Sequence, residues 1–107
     1  MQLSDCRALL TGAGGGIGQA LVERLVAEGA RLLLVGRQLE PLQRLALRHP
    51  DRIEVVQADI AERSGREAVV AAAQRFGGIN TLINGAGVNC FSLLEQHDEQ
   101  AIAELIG

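Results

Sequence analysis

With 107 residues, 48% of them apolar, the chain can bury one hydrophobic core and is too short for two domains. A net charge of −3, ten arginines spread from Arg7 to Arg75 among acidic neighbours, no lysine, and only Phe76 and Phe91 as aromatics exclude a basic or base-stacking nucleic-acid surface. The apolar run Leu32 to Val35 is far too short to cross a membrane.

The N-terminus, Met1 to Arg7, carries Asp5 and shows no signal peptide, so a cytoplasmic location is expected. The chain then opens on a short apolar run, Cys6 to Leu10, which reads as a strand. Thr11-Gly12-Ala13-Gly14-Gly15-Gly16-Ile17-Gly18 follows as a glycine turn, and Ile17 to Glu28 as a helix with Leu21, Val22, Leu25 and Val26 on its apolar side. Gly29 ends that helix. Ala30 to Val35 is a near-continuous apolar run, the pattern of a strand covered on both faces. A second helix carries Leu39, Leu42, Leu45 and Ala46, with Pro41 in its first turn and His49-Pro50 as its stop.

Arg52 to Gln57 reads as a third strand running into Ala58-Asp59-Ile60. Ser64 and Glu67 have the spacing of a capping box for a third helix, whose stripe is Val69, Ala72, Ala73 and Phe76 and whose end is Gly77-Gly78. Ile79 to Ile83 is a fourth strand, followed at once by Asn84-Gly85-Ala86-Gly87. A last helix, Asp98 to Ile106, is expected beyond a loop. Strand and helix alternate four times with short connections, so the expected fold is α/β: a three-layer, doubly wound parallel sheet of Rossmann type, occupying residues 1–107 as one domain.

In such a sheet ligands sit beyond the carboxyl ends of the strands, and four of those ends carry punctuated residues. Gly12, Gly16 and Gly18 are spaced GxxxGxG, which suits a backbone passing close to an anion at a helix N-terminus. A P-loop is excluded because Ile17 and Gly18 stand where glycine and lysine are needed, and a GxGxxG fingerprint fails from either Gly12 or Gly14. A pyrophosphate across Gly12, Ala13, Gly14, Gly15, Gly16, Ile17 and Gly18 is therefore expected. Arg37 lies nineteen residues past Gly18, where a dinucleotide fold meets the adenosine ribose. A guanidinium there matches the 2′-phosphate of NADP rather than the free hydroxyl of NAD, so NADP is preferred and NAD remains possible. Asp59 either accepts from the adenine amino group or caps the turn that follows. Asn84 can tie neighbouring strands through its amide, while Gly85 and Gly87 let the backbone approach a ribose.

Cys6 and Cys90 have no metal-ligand spacing and read as thiols in a reducing compartment; His49 and His97 read as surface residues. No metal ligands and no catalytic residues are assigned.

Thr11 through Gly18, Asp59-Ile60 and Asn84-Gly85-Ala86-Gly87, with Arg37 between them, resemble the TGxxxGIG, D-[VI] and NNAG motifs of the short-chain dehydrogenase/reductase family. That resemblance implies NAD(P)-dependent hydride transfer between a cofactor and a small-molecule carbonyl or alcohol. By position it implies that Gly12 through Gly18 hold the pyrophosphate, Arg37 the 2′-phosphate and Asp59 and Ile60 the adenine. Asn84, Gly85, Ala86 and Gly87 fall to the ribose and nicotinamide side.

Three departures accompany the resemblance. Gly85 stands where a second Asn is frequent, Asn80 where an Asp is common, and Gly15 where some NADP users carry a cation. The family's chemistry uses a Ser and a Tyr-x-x-x-Lys beyond the NNAG motif, and this chain contains neither Tyr nor Lys. It thus reads as the cofactor-binding half of such an enzyme, inactive by itself. An exposed edge beside the fourth strand, and with it a homo-oligomer or a partner chain, is expected. The alternative is a non-catalytic nucleotide-binding or assembly subunit.

Overall fold

The computed structural model describes residues 3–13, 16–84 and 89–92. The expected last helix, Asp98 to Ile106, lies outside the described residues, as does His97. After a 3-10 turn, Leu3–Asp5, come β1 (Arg7–Thr11), α1 (Gly16–Ala27), β2 (Arg31–Gly36), α2 (Leu39–Arg48), β3 (Ile53–Gln57), α3 (Arg63–Phe76), β4 (Thr81–Asn84) and β5 (Asn89–Ser92). Among the described residues no helix is long and apolar enough to cross a membrane.

The sheet order is β3-β2-β1-β4-β5. β1 pairs in parallel with β2 on one side, Thr11 opposite Val35, and with β4 on the other, Thr11 opposite Asn84; β2 pairs in parallel with β3, Gly36 opposite Gln57. The chain therefore winds outward from β1 to β3, then crosses back over the sheet to β4, which leaves a switch point between the ends of β1 and β4.

Period-two alternation in the two central strands builds a core on each face. Ala8, Leu10, Leu32 and Leu34 meet Val22 and Leu25 of α1 and Leu42 and Leu45 of α2 in one apolar cluster. Leu9, Leu33 and Val35 meet Val69, Ala72, Ala73 and Phe76 of α3 in the other. Leu9, Leu10, Leu32, Leu33 and Leu34 are all fully buried, and each such burial stabilises the fold by about 1.5–3 kcal/mol. This is why β2 reads as an unbroken apolar run: helices cover both of its faces.

The opposite end of the sheet is fastened by Asn80. Its Oδ1 accepts from the Arg7 amide at 2.8 Å and its Nδ2 donates to the Asp5 carbonyl at 2.8 Å, joining the entry of β1 to the entry of β4. On the outer surface Glu23 of α1 reaches Arg48 at 3.1 Å and His49 at 2.9 Å. His49 thus sits half-buried at the C-cap of α2, paired with Glu23 at the surface. Cys6 is a buried free thiol.

Three expectations are corrected. Ser64 is not the N-cap of α3; Glu62 holds that place, without a side-chain cap bond, because its amide already bonds the Asp59 carbonyl at 3.0 Å and starts the helix earlier. Glu67 pairs with Arg63 at 3.2 Å instead of closing a capping box. Residues 89–92, read as loop, form β5, antiparallel to β4 with Thr81 opposite Ser92. β4 therefore has ladder partners on both sides, and the outer edge belongs to β5. Unpaired N–H and C=O groups on a strand edge favour such an addition, and four residues without alternation give no sign of it.

Candidate functional site

The first feature of the site is a turn that only small residues allow. Gly12 follows β1 with φ of +76°, a left-handed conformation that side chains disfavour. Gly18, the third residue of α1, faces it so closely that a Cβ would lie 2.4 Å from the Gly12 carbonyl oxygen and 2.8 Å from Ala13 Cα. The helix end is thereby brought flush against the strand end, and the first N–H groups of α1 and its positive dipole end lie at the turn. Gly16 and Ile17 belong to the first turn of α1, where a Cβ at Gly16 would meet nothing within 4 Å. Gly14 and Gly15 lie outside the described residues.

A cleft of about 550 Å³ opens beside this turn, between the carboxyl ends of β1 and β2. It is lined by Gly12 and Ala13 from the first connection, Val35, Gly36, Arg37 and Gln38 from the second, and Pro41 and Leu42 of α2. The glycine turn and Arg37, separated in sequence, thus share one cavity. Arg37 is exposed at its rim, and among the described residues none that lines the cleft is acidic. Gln57, at the end of β3, donates from Nε2 to the Arg37 carbonyl at 3.1 Å. A lone glutamine closing a strand carried no signal of that role.

Asp59 and Ile60 follow β3, one strand further out, and are not among the residues lining that cleft. Asp59 Oδ1 accepts from the Ala61 amide at 2.9 Å, so the carboxylate closes the turn. That bond uses one oxygen and leaves the other able to accept from a ligand. Ile60 is half-buried and packs against the α3-side core. At the switch point Thr11 Oγ1 donates to Asn84 Oδ1 at 3.3 Å, so Asn84 ties β4 to β1. Gly85, Ala86 and Gly87 lie outside the described residues. Among the described residues no three His, Cys, Asp or Glu side chains gather into a metal site.

The site's elements are an anion-receptive turn, a guanidinium at the neighbouring strand end, an acid-closed turn beyond it and an Asn tie at the switch point. Known proteins resemble the chain in sequence and in fold. A cis-1,2-dihydrobenzene-1,2-diol dehydrogenase of Pseudomonas putida is 40% identical over 89 residues, which is 82% of this chain and 32% of that protein. The solved structure of a glucose/ribitol-type short-chain dehydrogenase/reductase from Brucella melitensis superposes with a TM-score of 0.66 at 41% identity, covering 73% of this chain and 34% of the other. A 3-ketoacyl-(acyl-carrier-protein) reductase from Brucella melitensis, solved with NADH, superposes with a TM-score of 0.69 at 34% identity over 76% of this chain and 34% of its own. The chain spans about a third of the length of these relatives. The model of the short chain dehydrogenase family matches residues 7–107, nearly the whole sequence, and the chain accordingly belongs to that family.

Proposed function

We propose that this chain is the cofactor-binding part of an NADP-preferring oxidoreductase that moves a hydride between a small carbonyl or alcohol and the nicotinamide. The observation that carries the preference is the cleft between β1 and β2. It has a guanidinium at its rim and, among the described residues, no carboxylate in its lining. A ribose 2′-phosphate is drawn to paired, charged N–H donors, whereas a free 2′-hydroxyl is usually met by an acid. In this reading Gly12 through Gly18 hold the pyrophosphate at the start of α1, Arg37 the 2′-phosphate, Asp59 and Ile60 the adenine, and Asn84 through Gly87 the ribose and nicotinamide side. The cofactor supplies the hydride chemistry; these residues bind and orient it.

Titration with NADPH and NADH tests the reading, with Arg37→Asp as the discriminating variant. Hydrogen bonds to charged groups are worth about 1.5–3 kcal/mol, so NADPH affinity should fall roughly 10- to 100-fold while NADH changes little. Equal loss for both cofactors would remove Arg37 from the 2′-phosphate.

A second reading rests on a different observation, the absence of Tyr and Lys from the sequence. A nucleotide-binding or assembly subunit needs neither. It shares the titration result and differs in turnover. An intact fold that binds neither cofactor would leave only a scaffold role.

A further inference from the structure

Gly65 is buried in the first turn of α3, although Arg63, Ser64 and Glu67 around it are exposed. Its backbone is helical and left-handed freedom is not needed there. The reason for glycine is contact. A Cβ at this position would lie 2.0 Å from the Asp59 carbonyl oxygen, 2.7 Å from its carbon and 3.0 Å from the Asp59 nitrogen. All three atoms are backbone, so no side chain can swing aside to make room.

The same helix holds the next peptide as well. Arg66 Nη1 donates to the Ile60 carbonyl at 3.0 Å, and the Glu62 amide donates to the Asp59 carbonyl at 3.0 Å. With Asp59 Oδ1 accepting from Ala61, the 59–61 turn is fixed by bonds from its own side chain and from α3. α3 therefore sets where this turn stands relative to the sheet.

We propose that Gly65 and Arg66 are positioning residues for adenine-nucleotide binding, holding the Asp59–Ile60 turn at the height at which it meets the adenine. The assignment rests on the cofactor reading above and extends it to residues that touch no cofactor. Helix propensity alone favours alanine over glycine at position 65, whereas the contact demands that α3 and the turn move apart. The two accounts thus predict opposite outcomes for one substitution.

The test compares the parent with Gly65→Ala and Arg66→Met in binding to NADPH, NADH and ADP-ribose, together with amide hydrogen exchange at Ala61 and Glu62. A displacement near 1 Å at a binding surface can cost between tenfold and a hundredfold, so Gly65→Ala should weaken all three ligands by about tenfold or more. The NADPH-to-NADH ratio should stay as in the parent, since Arg37 is untouched. Exchange at Ala61 and Glu62 should quicken while that of the β1 and β2 amides holds. Arg66→Met should give a smaller loss of the same kind, with Arg66→Lys recovering part of it.

If Gly65→Ala does not fold, Arg66→Met carries the test alone, because it adds no atom at the contact. Parent-like binding in the folded variants, or exchange that quickens throughout the sheet, overturns the assignment. A parent that binds none of the three ligands overturns the cofactor reading and this assignment together; a parent that binds while both variants bind equally well overturns this assignment alone.

Discussion

Gly18 is an ordinary helix residue by its neighbours, and an alanine there would raise helix propensity by about 1 kcal/mol. The contact with the Gly12 carbonyl, 2.4 Å from a hypothetical Cβ, opposes that gain. Overpacking of this kind costs about 1–3 kcal/mol, so Gly18→Ala should lower the urea midpoint despite its better propensity. It should also weaken any nucleotide the turn holds. A higher midpoint with unchanged binding would show that the turn relaxes freely. The GxxxGxG spacing made Gly12 and Gly18 legible before any coordinates, because a turn and a close approach leave the same sequence mark. Gly65 has the same steric origin and was not legible. A single glycine inside a helical stripe has many explanations, and its partner, the Asp59 backbone, carries no sequence signal at all. Gln57 and Thr11 escaped for a related reason: each acts through one hydrogen bond that only the strand register creates.

At the scale of elements, α1 and α2 are joined outside the core by Glu23, Arg48 and His49. The hydrogen bond from His49 is the largest influence holding the Glu23 carboxyl below its usual value; desolvation opposes it, and the charges of His49 and Arg48 assist. A carboxyl whose folded value is depressed binds protons more tightly when unfolded, so its contribution is present above the ordinary glutamate range. It is lost as pH falls through the depressed value. The stability difference between parent and Glu23→Gln should therefore persist near about pH 6 and close toward about pH 3. Denaturant midpoints across that range would show it, and a difference that grows on acidification would have the wrong sign. Exposure of Glu23 and Arg48 keeps the effect small.

The elements themselves were mostly legible, because Leu21, Leu25, Leu42, Leu45, Val69 and Phe76 repeat at helical spacing and Leu32 to Val35 do not alternate. Ser64 misled because a capping box is a local pattern, whereas the true start of α3 is set by the Asp59 turn before it. β5 was missed because its pairing comes from the free side of β4, not from any propensity of Asn89 to Ser92.

At the largest scale, a cleft at the carboxyl ends of β1 and β2 stands in a sequence that has neither Tyr nor Lys. Its two cores lie on opposite faces of one sheet, and the crossing from β3 to β4 leaves the switch point at Thr11 and Asn84. In the proposed reading these 107 residues bind and orient the cofactor. Proton transfer at the substrate oxygen is a separate requirement, and a positioned acid or base is worth about 10²- to 10⁴-fold in rate. No phenol or lysine ammonium is present to provide it, since the sequence has neither Tyr nor Lys. A polypeptide of these 107 residues should therefore bind NADPH, detected by its fluorescence, yet cause no loss of NADPH absorbance above a protein-free blank with aldehyde or ketone substrates. An intact mass of 11.3 kDa confirms that this polypeptide alone is in the assay. Turnover at that mass would mean that Ser92, His97 or a water held by the Asn84 segment supplies the proton, and the division between binding and chemistry drawn from the sequence would be wrong. Binding without turnover at that mass, and turnover only in a heavier species, would place the proton donor outside these residues.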